Sequence, residues 1–532
     1  MSSPASTAAA AAQRIERIGS HVGHVTVNPT SATAAGTATA TAPSAVPVDL
    51  VALTDLVLGS KSRAARHNVF QVIASEPALF KYDYNTTKET QREVAWARLK
   101  KLNEHGFIRP YAADDFETAH LQNEALNIVD HSVNTLIGAQ FVLFAGSIRK
   151  LGSETHQEKY LKDAEAMKLR GCFAMTELGH GSNVRGLETT ATYDRKTDEL
   201  VIHTPTETAQ KYWIGGGMDA QMATVFAQLI VKGVNYGVHA VLVPLRYSFF
   251  ELFFFFHRLL TSFSVATPRQ TSSCPASVSR TVVLSRACML LRKEERKHNS
   301  QYNKLSNGVS NARFWFNNVR VPRENLLNKY GDINAEGDYE SLIADNDMRF
   351  AATIANLLVG RIGIVSGSTA VSKIGLATYP FKPWSLSLSL SYICYYYRAI
   401  KYAHTRRQFG PSNAPETPII EYTTTQLRLL PFLATTYAHS FISRVVAKEL
   451  HEAQTNGDFQ AVKKLHVILS GLKAICSWHC AESLSLAREA CGGQGFKTSN
   501  RIGFLMGETD VFKTYEGDNM VLLQGVRCYF FQ

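Results

Sequence analysis

Apolar positions along this 532-residue chain change their spacing twice, and each change marks a new kind of element. From about residue 50 to 170 the spacing is helical. The mixed-charge run 87–99 keeps the helical period, and Ala125, Leu126 and Val129 followed by Val133, Leu136 and Ile137 mark another helix. Gly106, Pro110 and Gly152 punctuate the region. From 171 to about 246 the pattern shifts toward strands. Residues 189–193, a turn at 194–198 and residues 200–204 read as a hairpin, while 222–230 and 238–245 are apolar runs suited to buried strands. Residues 312–319 read as one more strand, closed by Pro322. From about 345 helices return in three long amphipathic runs, 351–374, 425–449 and 461–490. The order predicts an α+β fold, mainly α, with a β domain between two helical ones. The expected boundaries are a leader at 1–48, a helical domain at 49–170, a β domain at 171–330 and a helical bundle at 331–532.

Some stretches break this pattern. Residues 1–48 are rich in Ala, Thr, Ser and Pro, with Glu16 their only acidic residue, and cannot bury enough surface to fold. Residues 247–300 mix a Phe run, a Ser/Thr patch and a basic patch, and 379–398 interrupt a helix with two prolines and repeated Ser-Leu. The tail 525–532 also departs from the surrounding pattern. Long structureless insertions are foreign to a compact domain. The hypothesis is that 247–300, 379–398 and the tail 525–532 are unspliced or mispredicted segments, and a transcript encoding them intact would refute it.

The formal net charge of +11 favours anionic partners, but a solvated basic surface explains it equally well. No Lys/Arg block is dense enough for nucleic acid, since Glu294 and Glu295 break the run 292–297. Cys172, Cys274, Cys288, Cys394, Cys476, Cys480, Cys491 and Cys528 form no CxxC pair, which fits a reducing compartment. Cys476, His479 and Cys480 lack a second ligand pair, so a structural role is preferred and no metal is expected. No apolar run reaches the roughly 20 residues that a bilayer requires, so no transmembrane segment is expected.

Five short segments can carry chemistry. CFAMTELGHGSNV (172–184) joins the helical and strand regions; its glycines permit tight turns, and Thr176 and Ser182 offer hydroxyls to a polar ring edge. A plain turn explains it as well when it is taken alone. KYWIGGG (211–217) sets Trp213 beside consecutive glycines, which suits stacking on a ring, although a lone Trp is more often core. HTRRQFG (404–410) pairs two arginines able to chelate phosphate, against a solvated basic turn. REACGGQGF (488–496) ends a helix on glycines that let a ligand approach the backbone. TYEGDN (514–519) places Glu516 between an aromatic and a glycine. An apolar cleft there would raise the carboxyl pKa and make a proton acceptor; an isolated Glu is more often at the surface.

Together and in this order, with FNNVRVPRENLLN (316–328), these segments resemble the acyl-CoA oxidase/dehydrogenase superfamily, and within it the plant-type peroxisomal acyl-CoA oxidases. The resemblance runs from about 50 to 524, apart from the two internal odd stretches. It implies an N-terminal helical domain, a β-barrel domain and a C-terminal bundle, with FAD between the last two and a homodimer completing the site. It implies that Thr176 and main chain at Ala174 bind the flavin ring, and that Trp213 and Gly215 line it. Arg406 and the backbone of Gly492 and Gly493 would meet the pyrophosphate. Ser182 would lie near the substrate thioester and Arg349 near the CoA end. Glu516 would be the catalytic base that takes the α-proton of a fatty acyl-CoA, giving the trans-2-enoyl-CoA, with electrons passing through flavin to oxygen and forming hydrogen peroxide.

The leader carries Arg14-Ile15 and, after five residues, His21-Val22, on one side of a helix. This resembles the N-terminal peroxisomal targeting nonapeptide and implies a peroxisomal import receptor, with Val22 replacing the usual Leu or Ala. An organelle transit peptide is the alternative. Oxidases of this type carry a further helical domain after TYEGDN, which is not expected here, because the sequence stops at Gln532. The rival readings are an acyl-CoA dehydrogenase and a non-catalytic family member.

Overall fold

Side-chain caps fix where the first helices begin. In the computed structural model, α1 (Ser60–Ser75), α2 (Lys88–Glu104), α3 (Phe116–Val129) and α4 (His131–Ile137) follow one another. Thr87 accepts from Thr90 N at the start of α2, Asp115 from Thr118 N at α3, and Asp130 from Ser132 N and Val133 N at α4. The chain then widens into a π-helical segment, Gly138–Ala145, before a last α-helical turn to Leu151. Val69, Leu99, Leu102, Leu126, Val133, Leu136 and Phe141 share one core. The structure describes residues 60–83, 85–107, 109–112, 115–246, 308–355, 357–376 and 399–530. The leader and the two internal odd stretches lie outside them. Contacts divide the chain into Met1–Asp49 and Leu50–Gln532, and all described residues belong to the second unit.

Ten strands follow among the described residues: β1 (Gly171–Ala174), β2 (Thr190–Asp194), β3 (Glu199–His203), β4 (Lys211–Gly215), β5 (Met222–Val231), β6 (Val234–Pro244), β7 (Asn311–Phe314), β8 (Val319–Pro322), β9 (Gly331–Ile333) and β10 (Tyr339–Ser341). The main sheet runs β1-β5-β2-β3-β8, with β6 also on β5. β1 and β2 pair in parallel with successive parts of β5, while β6 runs antiparallel along it. The apolar run of β5 does not alternate with polar residues because both its faces are covered. Ala223, Val225, Ala227 and Leu229 enter a core with Ile214, Phe314 and Phe316. Met222 and Phe226 enter another with Phe144, Ile148 and Leu151. Gly171 lets β1 lie against Phe144, because a Cβ there would meet the ring at 2.0 Å.

The expected strand at 312–319 is two strands on different sheets. Phe316 crosses between them, its N–H donating to Thr204 Oγ1 and its carbonyl accepting from Thr204 N, and Asn318 turns the chain at a φ of 51°.

The later helices are α5 (Asn346–Ile354), α6 (Leu357–Leu376), α7 (Ala399–Thr405), α8 (Thr423–Thr455), α9 (Phe459–Ala490), α10 (Ile502–Thr509) and α11 (Asn519–Phe530). The run expected at 351–374 is divided between α5 and α6, where Ala355 N reaches back only to Ala352 O. The tail 525–532, irregular in sequence, continues α11 to Phe530. Helix α6 packs against α3, α8 and α9. It is long and apolar enough to cross a membrane, contrary to the sequence expectation, but most of it is buried inside the protein. Its small residues let neighbours close in: Gly367 faces Asn127 and Gly375 faces Leu484.

Candidate functional site

The first grouping lies where β1 runs into the loop that meets β4. Thr176 Oγ1 donates to Tyr212 O at 2.7 Å, and Tyr212 N donates to Thr176 O at 3.0 Å. Beneath them a fully buried ion pair fixes the corner. Lys211 Nζ donates to Glu177 Oε1 at 2.9 Å and to Met175 O at 3.0 Å. Glu177 also accepts from Glu188 N, Thr189 N and the Thr189 hydroxyl. Burial opposes ionisation of Glu177, but Lys211 and these donors outweigh it and hold the carboxyl below its usual pKa. Burial lowers Lys211 to about 8 despite Glu177. With its own oxygens satisfied, the pair leaves the main chain above it in one conformation.

On that base Trp213 projects outward. It is 60% exposed and its φ is +62°, a backbone state that non-glycine residues hold only when their surroundings enforce it. Gly215 pairs with Asn311, and Gly216 N donates to Ser310 O. Gly217 has no room for a side chain, since a Cβ would lie 2.8 Å from that of Ala312. Ala174 is buried at the end of β1, its main chain in register with Val225. Ser182 is exposed on the following loop.

The second grouping surrounds Glu516, in the bundle. Its φ is +58° and that of Gly517 is +105°. Such a turn costs about 1–3 kcal/mol per strained non-glycine residue. Two buried cations hold it: Arg361 Nε, on α6, donates to Glu516 O at 3.2 Å, and Lys473 Nζ, on α9, donates to Gly517 O at 2.6 Å. The turn aims the carboxyl inward. The residue as a whole is only half-buried, but Oε2 is enclosed and has no hydrogen-bond partner among the described residues. The carboxyl lies against Gly360, where a Cβ would sit 2.5 Å from its Cδ. Burial raises the Glu516 pKa to about 7, while Arg361 and Lys473 pull it down. Near neutral pH such a group exchanges a proton readily.

The third grouping is at the other end of the bundle. Ala399 and Ala403 of α7 pack with Ala487 and Cys491 at the end of α9, bringing Arg406 to the same end as Gly492 and Gly493. Arg406 is exposed and its guanidinium forms no ion pair among the described residues. Gly492 turns the chain at a φ of +54°, and a Cβ on Gly492 or Gly493 would meet nothing within 4 Å. Phe409 and Phe496 are exposed beside them, 77% and 82%.

Arg349 stands apart. It is buried, and its guanidinium donates to Ile343 O at 2.8 Å, Tyr236 O at 3.1 Å and Asn346 Oδ1. Among the described residues no hydrogen bond or ion pair joins the Thr176–Trp213 corner to the Glu516 turn. The π-helical segment 138–145 lies between them in packing, against β1 and against α6. Sequence reasoning missed Gly360, Arg361, Lys473 and Asn519. A cation inside a long apolar run, as in LLVGRIGI and SGLKAIC, is the signal that could have found two of them.

Residues 172–251 match the model of the acyl-CoA dehydrogenase middle domain, and residues 396–531 that of the acyl-CoA oxidase C-alpha1 domain. The chain is 40% identical over 450 residues to the peroxisomal acyl-coenzyme A oxidase 3 of Arabidopsis thaliana, covering 84% of this chain and 57% of that protein. Among solved structures it is similar to acyl-CoA oxidase 1 of Yarrowia lipolytica, with a TM-score of 0.68 at 29% identity over 90% of this chain and 63% of that one. It is also similar to acyl-CoA oxidase-2 of Caenorhabditis elegans bound with FAD, ascaroside-CoA and ATP, with a TM-score of 0.67 at 26% identity over 90% of this chain and 64% of that one. The chain thus spans 57–64% of the length of these relatives, less than two thirds.

Proposed function

We propose that this chain is a member of the acyl-CoA oxidase/dehydrogenase superfamily and, on that premise, an FAD-dependent acyl-CoA oxidase acting in peroxisomal fatty acid β-oxidation. The observation that carries the reading is the enclosed, unpartnered Oε2 of Glu516 on a turn held by two cations. A carboxylate kept this way is a proton acceptor without a structural partner to satisfy it.

The residues present fit a flavin. Trp213 offers an exposed ring beside bare backbone at Gly215 and Gly216, and Thr176 a hydroxyl beside it. Arg406 offers an exposed guanidinium, without an ion pair among the described residues, for phosphate, with open main chain at Gly492 and Gly493 near it. A bound flavin would supply the acceptor for two electrons, and in an oxidase those electrons go on to dioxygen. The protein's part is the proton. Glu516 takes the α-proton of the acyl thioester, and its main-chain N–H stabilises the charge that develops on the thioester oxygen. Ser182 is assigned to the thioester end. Arg349, whose donors are committed within the protein, acts on the CoA end only through the loop it tethers.

A homodimer follows in the same reading. Phe409 and Phe496 flank Arg406 and the glycines with exposed apolar surface, which a second copy would cover while completing the cofactor site. The domain division at 48, 170 and 330, a peroxisomal import receptor reading Arg14–Val22, and α6 as a core helix, not a membrane span, belong to the proposal too. Purified protein should be yellow and should form peroxide in step with acyl-CoA consumed. A yellow protein that reduces a flavoprotein acceptor but leaves oxygen untouched would be a dehydrogenase.

A further inference from the structure

We propose that Lys473 is a positioning residue for Glu516, fixing from α9 the left-handed turn that points the carboxylate into its enclosed site. The inference rests on Glu516 being the base. Lys473 is fully buried, and its ammonium has two partners, Gly517 O at 2.6 Å and Asn519 Oδ1 at 2.9 Å. Both lie in the segment that carries Glu516. Asn519 is held in turn by α9, its Nδ2 donating to Ser477 Oγ at 2.9 Å and Ala474 O at 3.3 Å, which aims its Oδ1 at the ammonium. The strained turn is therefore strapped to one helix by a closed set of bonds. A buried ammonium without a paired carboxylate is a costly way to hold a loop. Its placement makes sense if the charge also acts on a neighbour, and among the described residues the carboxyl with an enclosed, unpartnered oxygen beside it is Glu516.

The groups facing Glu516 are few. Arg361 comes from α6, with His466 of α9 behind it, Lys473 from α9 and Tyr515 from the same segment, while Asp518 acts on Lys473. Lys473 favours the ionised base, so its removal should make Glu516 hold its proton more tightly. A strap with no electrostatic role would leave that titration alone.

The test follows Glu516 directly. In the full chain labelled with ¹³Cδ-glutamate, the resonance absent from Glu516→Gln reports the Glu516 titration with or without turnover. Lys473→Met should move its midpoint to higher pH by about one pH unit. The acid limb of the acyl-CoA oxidation rate should move with it, while the plateau rate at high pH falls because the turn is looser. Lys473→Gln keeps a donor near Gly517 O but no charge; it should show the same midpoint and a plateau closer to wild type. If Lys473→Met does not fold, Lys473→Gln carries the titration alone. An unmoved midpoint, or an equal rate loss at every pH, would overturn the proposal. A moved midpoint in a chain without acyl-CoA turnover would uphold the Lys473 contact and remove the oxidation it is meant to serve.

Discussion

Two carboxyl groups, those of Glu177 and Glu516, are enclosed in opposite ways. Glu177 receives Lys211, two main-chain N–H groups and a hydroxyl, and its pKa stays low. Glu516 has cations of the same kind within reach, but their hydrogen bonds go to main-chain carbonyls and to Ser470 and Asn519, so its Oε2 is enclosed without a partner among the described residues and burial raises its pKa to about 7. A satisfied buried charge is a strut, whereas an unsatisfied one is available to do chemistry. The β corner uses the first device to hold a rigid platform, and the bundle uses the second to hold a reactive group.

Breaking each device should give a different signature. Glu516→Gln should cost about 10²–10⁴-fold in acyl-CoA oxidation, as expected for loss of a general base, while the melting temperature stays near wild type or rises. Lys211→Met should do the reverse. It strands Glu177 as a buried charge, so stability should fall by about 3–5 kcal/mol in denaturant titration and flavin binding should weaken with the corner. If Lys211→Met instead left stability unchanged, the pair would not be the strut described.

Gly360→Ala sharpens the contrast from the helix side. The new methyl would sit where the Glu516 carboxyl lies, so activity should drop about tenfold or more, with a stability loss of about 1–3 kcal/mol. Glu508, on α10, is a further buried carboxyl, and its effect is expected on stability and its pH dependence. Its pKa is raised to about 8 by burial and Asp130, against Arg501 and Arg98. A carboxyl whose folded pKa is raised contributes stability in full below its unfolded value near 4.5, and that contribution is lost as pH rises toward 8. Glu508→Gln should therefore be more stable than wild type at pH 8 and lose most of that advantage near pH 5, as read by thermal melts.

Local chemistry was legible in the sequence. The hairpin at 189–204 was readable because alternation and turn residues act over a few positions, and its strands are β2 and β3. The apolar runs that became β5 and β6, and the long helices that became α8 and α9, were readable for the same reason. What could not be read was pairing across distance. Phe316 leaves one sheet for another because of Thr204, more than a hundred residues earlier. Arg361 and Lys473 lie 155 and 43 residues from Glu516, and only the packing of α6 and α9 brings them to its turn. Arg349 shows the converse. Its type and place drew a ligand assignment, whereas folding commits its guanidinium to carbonyls supplied by Tyr236 and Ile343.

The central claim is that Glu516 removes a proton from an acyl thioester beside a bound flavin. Anaerobic bleaching of the flavin absorbance by acyl-CoA, followed by stopped flow from pH 6 to 8, tests it most directly. The predicted result is bleaching whose rate climbs through a midpoint near pH 7 to a plateau and is lost in Glu516→Gln. Flavin-loaded protein that does not bleach, or that bleaches equally well as Glu516→Gln, would contradict it.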